Sequence, residues 1–209
     1  MPSTPVPTVL EGHHVRLEPL ALYHVPALFE VGGRDEEVWR WLSRPAPDSE
    51  GELREIVSKR VEEVEAGKRV SFAVVSRTEG TAIGMTNLHS WSRTGGRVEI
   101  GGTWLGRSWW RTAANTEAKL LTMTHAFETL GFAVVAWRID VDNIRSQEAI
   151  LRIGARLQTR EPNALVRSDG TRRDLFVYAM QQAEWMVAKA RLADRLARGQ
   201  EAAESVRPG

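Results

Sequence analysis

The order in which strand-like and helix-like hydrophobic periods succeed one another leaves this chain few folds. Residues 1–9 read as a disordered or extended leader, and HHVRLEPL as a short strand ending at Pro19. Leu22, Val25, Leu28 and Phe29 then recur at helical spacing up to Val31, with Gly32 and Gly33 as the stop. VWRWLSRPAP is a helical turn or loop broken by Pro45 and Pro47, and from Ser49 a helix carries Leu53, Ile56, Val57, Val61 and Val64 until Gly67. VSFAVVSR, TAIGMTNLHSW and RVEIGGTWL follow as meandering strands. Next come a helix from about Asn115 to Leu130 with the stripe Leu120, Met123, Phe127 and Leu130, the apolar strand AVVAWRIDV, and the short helix in DNIRSQEAILRIGA. A hairpin around Ser168, Asp169 and Gly170 and an amphipathic helix from about Ala183 to Leu196 close the chain. The succession predicts an α/β (α+β) domain over residues 10–181, a mixed central sheet of about seven strands with helices on both faces, followed by a C-terminal helix and tail over 182–209.

Composition narrows the function. A chain of 209 residues suits one domain, and 28 basic against 27 acidic residues give a net charge of +1. So balanced a charge offers no global pull toward nucleic acid or membrane and favours a small-molecule or peptide partner. With no cysteine, the chain has no disulfide framework, thiolate zinc site or cysteine nucleophile, and a reducing cytoplasmic setting is expected. The first residues lack the marks of a signal peptide, and no run approaches the roughly 18 apolar residues of a membrane span. The five histidines show no metal-ligand spacing.

The stretch WWRTAANTEAK, Trp109 to Lys119, joins the strand RVEIGGTWL to the long helix. A helix start offers unpaired amides and a partial positive charge, a place where a phosphate can dock. Thr112, Ala113 and Ala114 are small there, Asn115 can cap the helix and tolerates the left-handed region, and Arg107 and Arg111 carry fork-shaped donors. The same residues also describe an ordinary capped strand-to-helix connection. In DNIRS, Asn143 and Ser146 likewise read as plain helix capping.

Taken in order, VEIGGTWL, WWRTAANTEAKLLTMTHAFETLG, WRIDVDNIRSQEAILRIGA and DGTRRDLFVYAM resemble the GCN5-related N-acetyltransferase (GNAT) superfamily. The resemblance covers about residues 10 to 181, and NTEAKLL, HAFETLG and DNIRSQEAI are specific to its branch of RimJ/RimL-like ribosomal-protein N-terminal acetyltransferases. It implies a GNAT-type sheet, acetyl-CoA as cofactor, and a loop, usually R-G-T-G-V-N, that holds the diphosphate through backbone amides. Here that loop reads Trp110, Arg111, Thr112, Ala113, Ala114 and Asn115, without its glycines and leading arginine. The resemblance places the cofactor along Arg111 to Thr116, with Arg107 near by. It gives the backbone of Gly101 to Leu105, including Thr103 and Trp104, to the pantetheine arm and thioester.

Acetyl transfer to an amine needs a base, a polarised carbonyl and a proton for the leaving thiol. Glu99 is the base that the resemblance implies, provided burial raises its pKa; alternatively it faces water or pairs with Arg97 or Arg138. His89 is the second candidate base. Within the family pattern Asn143 touches the pantetheine and Ser146 gives a proton to the thiolate, since neither Tyr23 nor Tyr178 follows the relevant strand. Of the eight tryptophans, Trp39, Trp41, Trp91, Trp104 and Trp109 fall near strand ends; most should be core or rim anchors. One or two could line an acceptor pocket, Trp39 and Trp41 first, because their segment covers that pocket in the family's fold.

The expected reaction is transfer from acetyl-CoA, within a ternary complex, to a primary amine. That amine is a protein N-terminal α-amine or that of a small amine, amino acid or antibiotic. A non-catalytic acyl-CoA-binding module and a structural RNA-associated domain are the rivals, the second disfavoured by the near-neutral charge. The last helix, with Trp185, Leu192 and Leu196 on one side, could pack on its own domain or against a second subunit in a homodimer.

Overall fold

The computed structural model describes residues 1–166 and 170–204. Its elements are β1 (Leu10–Glu11), β2 (Val15–Pro19), α1 (Val25–Leu28), α2 (Glu36–Trp39), α3 (Glu50–Glu65), β3 (Arg69–Ser76), β4 (Ala82–Ser92) and β5 (Arg97–Leu105), then α4 (Ala113–Thr124), β6 (Val134–Asp140), α5 (Ile144–Arg152), β7 (Arg156–Val166), β8 (Arg172–Gln181) and α6 (Gln182–Glu204). The strands form one eight-stranded sheet in the order β1-β2-β3-β4-β5-β6-β8-β7. The strand beyond the expected seven is β1, whose two residues are too short to show an alternation. Among the described residues only the β5–β6 pair is parallel. The β7–β8 hairpin forms as expected, and Ser168 and Asp169 at its tip lie outside the described residues.

The helix expected over 22–31 is broken into a 3-10 turn (Leu22–His24), α1 and a wide π turn (Phe29–Gly33). Pro26 suits the first turn of α1, where its missing amide leaves no bond unmade.

Each face of the sheet has its own core. Helices α1, α2 and α3 cover one face, where Leu28, Trp39, Leu53, Val57, Ala73, Met85 and Trp104 are buried together. Helices α4, α5 and α6 cover the other through Phe72, Val74, Leu88, Ile100, Met123, Phe127, Ile150 and Trp185. Alternation along β3 sends Ala73 to the first core and Phe72 and Val74 to the second. On α6 the apolar side packs on its own domain: Trp185 stacks on Phe127 at 5.4 Å and donates to Glu128 at 2.6 Å. Truncating Phe127 in so closed an interior costs about 3–5 kcal/mol.

The start of α4 is pinned by a buried carboxylate. Glu117 accepts the amides of His13, His14 and Val15 at 2.9, 2.6 and 2.7 Å, tying α4 to the turn between β1 and β2. Among the described residues no helix is long and apolar enough to cross a membrane.

Candidate functional site

Strands β5 and β6 are partners for only three residues, Arg97 to Val134, Val98 to Val135 and Glu99 to Ala136. Beyond Glu99 they part. The remaining length of β5, Ile100 to Leu105, has β4 on one side and no strand on the other, so its backbone edge is open to a ligand. A bulge assists the divergence. Asn87 pairs with Gly101 and Met85 with Trp104, so Gly102 and Thr103 on β5 stand against Thr86 alone on β4. Gly102 has φ +57°, and a Cβ there would lie 2.9 Å from the Asn87 amide nitrogen, which makes glycine the residue of choice. The bulge interrupts the two-residue alternation of β5 at Gly102. Asn87 Nδ2 donates to the carbonyls of Gly101 and Gly102 at 3.0 and 3.4 Å, and Trp110 Nε1 donates to that of Leu105 at 2.9 Å.

Glu99 therefore sits at the fork. It is 8 % exposed and faces away from the core that holds Val98 and Ile100. Its carboxylate lies 4.0 Å from His89 Nδ1 and 3.6 Å from an Arg97 nitrogen, while Arg138 is engaged by Glu161. Burial pushes the Glu99 pKa above the usual carboxylate range, against the opposing pull of Arg138 and Arg97. His89 moves the other way, down to about 4, through burial first and then the charges of Arg69, Arg60 and Arg138. His89 is thus neutral near pH 7 and a weak base, whereas Glu99 is shifted toward the range where a general base works well. Arg69, His89 and Glu99 are register partners across β3, β4 and β5, so they stand in one row on one face. Gly101 clears the floor beside them, since a Cβ there would meet His89 Nε2 at 2.5 Å.

Helix α4 begins two residues earlier than expected. Its N-cap is Thr112, whose hydroxyl accepts the Ala114 amide at 3.3 Å; Asn115 lies inside the first turn and accepts Lys119 Nζ at 3.2 Å. Arg111, not an alanine or Asn115, takes the left-handed conformation, with φ +63°. An arginine there accepts a strain of about 1–2 kcal/mol that glycine would not feel. The first turn of α4, with Ala113 and Thr116, still presents a helix start to anions, and no side chain larger than threonine or asparagine stands in it. These residues and the free edge of β5 suit a long ligand with a diphosphate end and an amide-bearing arm. Arg107 is held elsewhere: its guanidinium grips Asp35, the N-cap of α2, at 2.9 and 2.6 Å.

Beyond β6, Asn143 caps α5 by accepting the Ser146 amide at 3.2 Å, so the capping reading of Asn143 describes its contact. Ser146 is half-buried in the first turn, and its hydroxyl has no partner among the described residues. Two residues to which the sequence reading gave no role lie between these elements. Trp110 packs against both cores, which places it at the opening of the sheet, and the Arg145 guanidinium covers its ring at 3.6 Å. The tryptophans expected at the acceptor pocket are distributed differently. Trp39 is buried, packs on Trp104 at 5.6 Å and donates to the Gly32 carbonyl, so it is a core anchor. Trp91 follows Ser90, which has φ +50°, and packs on the core opposite Glu99. Trp41 is half-buried under the Arg40 guanidinium. Among the described residues no group of histidine and carboxylate side chains could hold a metal ion.

A family model described as an acetyltransferase (GNAT) domain matches residues 14–156. A GCN5-related N-acetyltransferase from Brucella melitensis is 27% identical, with a TM-score of 0.87 over 93% of this chain and 88% of that one. A candidate acetyltransferase from T. thermophilus is 36% identical, with a TM-score of 0.82 over 94% of this chain and 100% of its own. Mycobacterium smegmatis RimJ in complex with CoA-disulfide shares the fold, at 18% identity and a TM-score of 0.77 over 90% of this chain and 95% of that one. No curated protein matches the chain.

Proposed function

The chain belongs to the GNAT acetyltransferase family and is an enzyme of that family, and from this premise we propose that it transfers acetyl from acetyl-CoA to a primary amine with Glu99 as the base. The observation that carries the reading is the position of Glu99: a buried carboxylate, its pKa raised, at the last paired residue before β5 and β6 diverge. Bound acetyl-CoA would supply an activated acetyl group as a thioester. Glu99 takes a proton from the acceptor ammonium, directly or through a water, so that the neutral nitrogen can form the new C–N bond as the C–S bond breaks. Ser146, in the first turn of α5, is the donor of the proton that the departing thiolate needs. The start of α4, from Arg111 to Thr116, takes the diphosphate, and the open edge of Thr103 to Leu105 takes the pantetheine amides. Arg107 contributes by fixing α2 over the cleft through Asp35 rather than by touching phosphate.

The acceptor that we favour is the α-amine of a peptide or protein. The motifs NTEAKLL, HAFETLG and DNIRSQEAI and the fold shared with RimJ support it. The test is thiol release from acetyl-CoA with an amine panel that includes peptides, run on the wild type and on Glu99→Gln. The reading expects a variant that binds coenzyme A as before but transfers acetyl far more slowly. Equal turnover by both proteins removes Glu99 from the chemistry.

A further inference from the structure

The row of Arg69, His89 and Glu99 continues onto α3, where the sheet face is unusually rich in arginine. Arg69 Nε approaches Glu63 to 2.6 Å, and Arg60 donates to the same carboxylate oxygen at 3.1 Å. Arg44, on the loop before α3, lies close enough for its charge to act on Arg60, whose pKa is lowered by burial first and then by Arg69. The Arg44 Nε is buried and has no hydrogen-bond partner among the described residues. Two guanidinium groups therefore share one carboxylate in a half-buried setting, and a third, from Arg44, lies near enough to add its charge. Unrelieved like charge in partly desolvated surroundings is costly, and an anion entering the cluster would relieve it. His89, wedged between this cluster and Glu99, is kept neutral there and adds nothing to the charge.

The cofactor's diphosphate does not answer this demand, because the start of α4 lies with the opposite core. Resting on the acetyl-transfer reading of the cleft, we propose that the acceptor amine belongs to an acidic molecule, whose anionic group is received by Arg44, Arg60 and Arg69 while the amine lies at Glu99. Arg69 and Glu99 stand two strands apart, roughly 10 Å. An extended peptide covers that distance in about three residues. A peptide with a free α-amine and an acidic side chain at its second or third residue fits the span; an acceptor with a basic residue there meets three arginines.

Three tripeptide amides, Ala-Ala-Glu, Ala-Ala-Gln and Ala-Ala-Arg, separate the alternatives in a thiol-release assay with the whole chain. The expected order of kcat/KM is Glu above Gln by tenfold or more, with Arg the poorest. In Arg44→Gln the Glu-to-Gln ratio falls toward one. Because Arg60 is half-buried and its loss could disturb α3, Arg60→Lys is the second variant, with its melting curve recorded beside the assay. It keeps the charge and should retain a ratio well above that of Arg44→Gln. Equal rates for the Glu and Gln peptides, or a ratio that Arg44→Gln leaves unchanged, overturn the assignment. Should none of the peptides be acetylated, the transfer reading fails by itself, and calorimetry with N-acetyl-Ala-Ala-Glu amide decides on the anion site. Binding that Arg44→Gln weakens at least tenfold upholds it; no binding to the wild type, or equal binding to both, overturns it.

Discussion

The two ends of the cleft are made of different material. At the start of α4 the groups available to an anion belong to the backbone, the side chains are small, and the geometry rests on a helix terminus held by Glu117. Around Glu99 the groups are ionisable side chains from β3, β4, β5 and α3, half or fully buried, and burial together with nearby arginine charges sets the protonation of His89 and Glu99. A backbone cradle recognises whatever carries a phosphate and tolerates much change in sequence. An array of buried charges is selective, because each member is costly to leave unpaired. One enzyme can thus keep a cofactor common to its family while its acceptor end diverges.

Breaking the acceptor end at Glu99 has the largest expected effect. Loss of a positioned base lowers kcat/KM by about 10²–10⁴-fold in Glu99→Gln, with coenzyme A affinity kept within a factor of about two by calorimetry. Because the Glu99 pKa is raised and the base acts ionised, the wild-type kcat/KM should climb with pH to a midpoint above the ordinary carboxylate value; the limb should vanish in the variant.

The cofactor end is broken next by Ala113→Asp, which sets a carboxylate in the first turn of α4. Coenzyme A affinity should fall about tenfold or more by charge repulsion, while the melting temperature holds or rises, since an acidic residue suits a helix start. Unchanged affinity would move the diphosphate elsewhere.

Acid stability sharpens the contrast. The folded pKa of His89 is depressed to about 4 from 6.5, so the unfolded chain binds the proton more readily. The stability that this shift contributes is complete above pH 6.5 and is lost as pH falls toward 4. In His89→Gln the melting temperature should depend less on pH across that window. The smallest effect belongs to the join between the two ends: Arg145→Gln removes the cation over Trp110 and should cost about 0.5–1 kcal/mol in a denaturant titration.

How far the site could be read from the chain differs residue by residue. As candidates, Glu99 and the α4 loop stand out in the sequence itself, the first from the family pattern and the second from small residues ahead of a long apolar stripe. Asn115 as a cap was misread because Thr112, Ala113 and Ala114 suit either the loop or the helix, and only the Thr112 bond to Ala114 decides between them. Trp39 and Arg107 look like site residues by type, yet one is buried against Trp104 and the other is held by Asp35, 72 positions away. The Arg44, Arg60 and Arg69 cluster gave no signal at all. Arg69 faces His89 only once β3 and β4 pair, and the row reaches Glu99 only when β5 joins with register shifts between Met85 and Asn87 and between His89 and Ser92.

By itself the sequence determined the succession of elements, the family and the presence of a helix start suited to an anion. Those follow from hydrophobic period, turn residues and local motifs, which act over a few neighbouring positions. Tertiary structure alone decided where β5 and β6 part, that Trp110 spans both cores, and which charges surround Glu99. Bulges, burial and ion pairs between residues distant in the chain have no local signature, and they set the protonation of the groups that would do the chemistry.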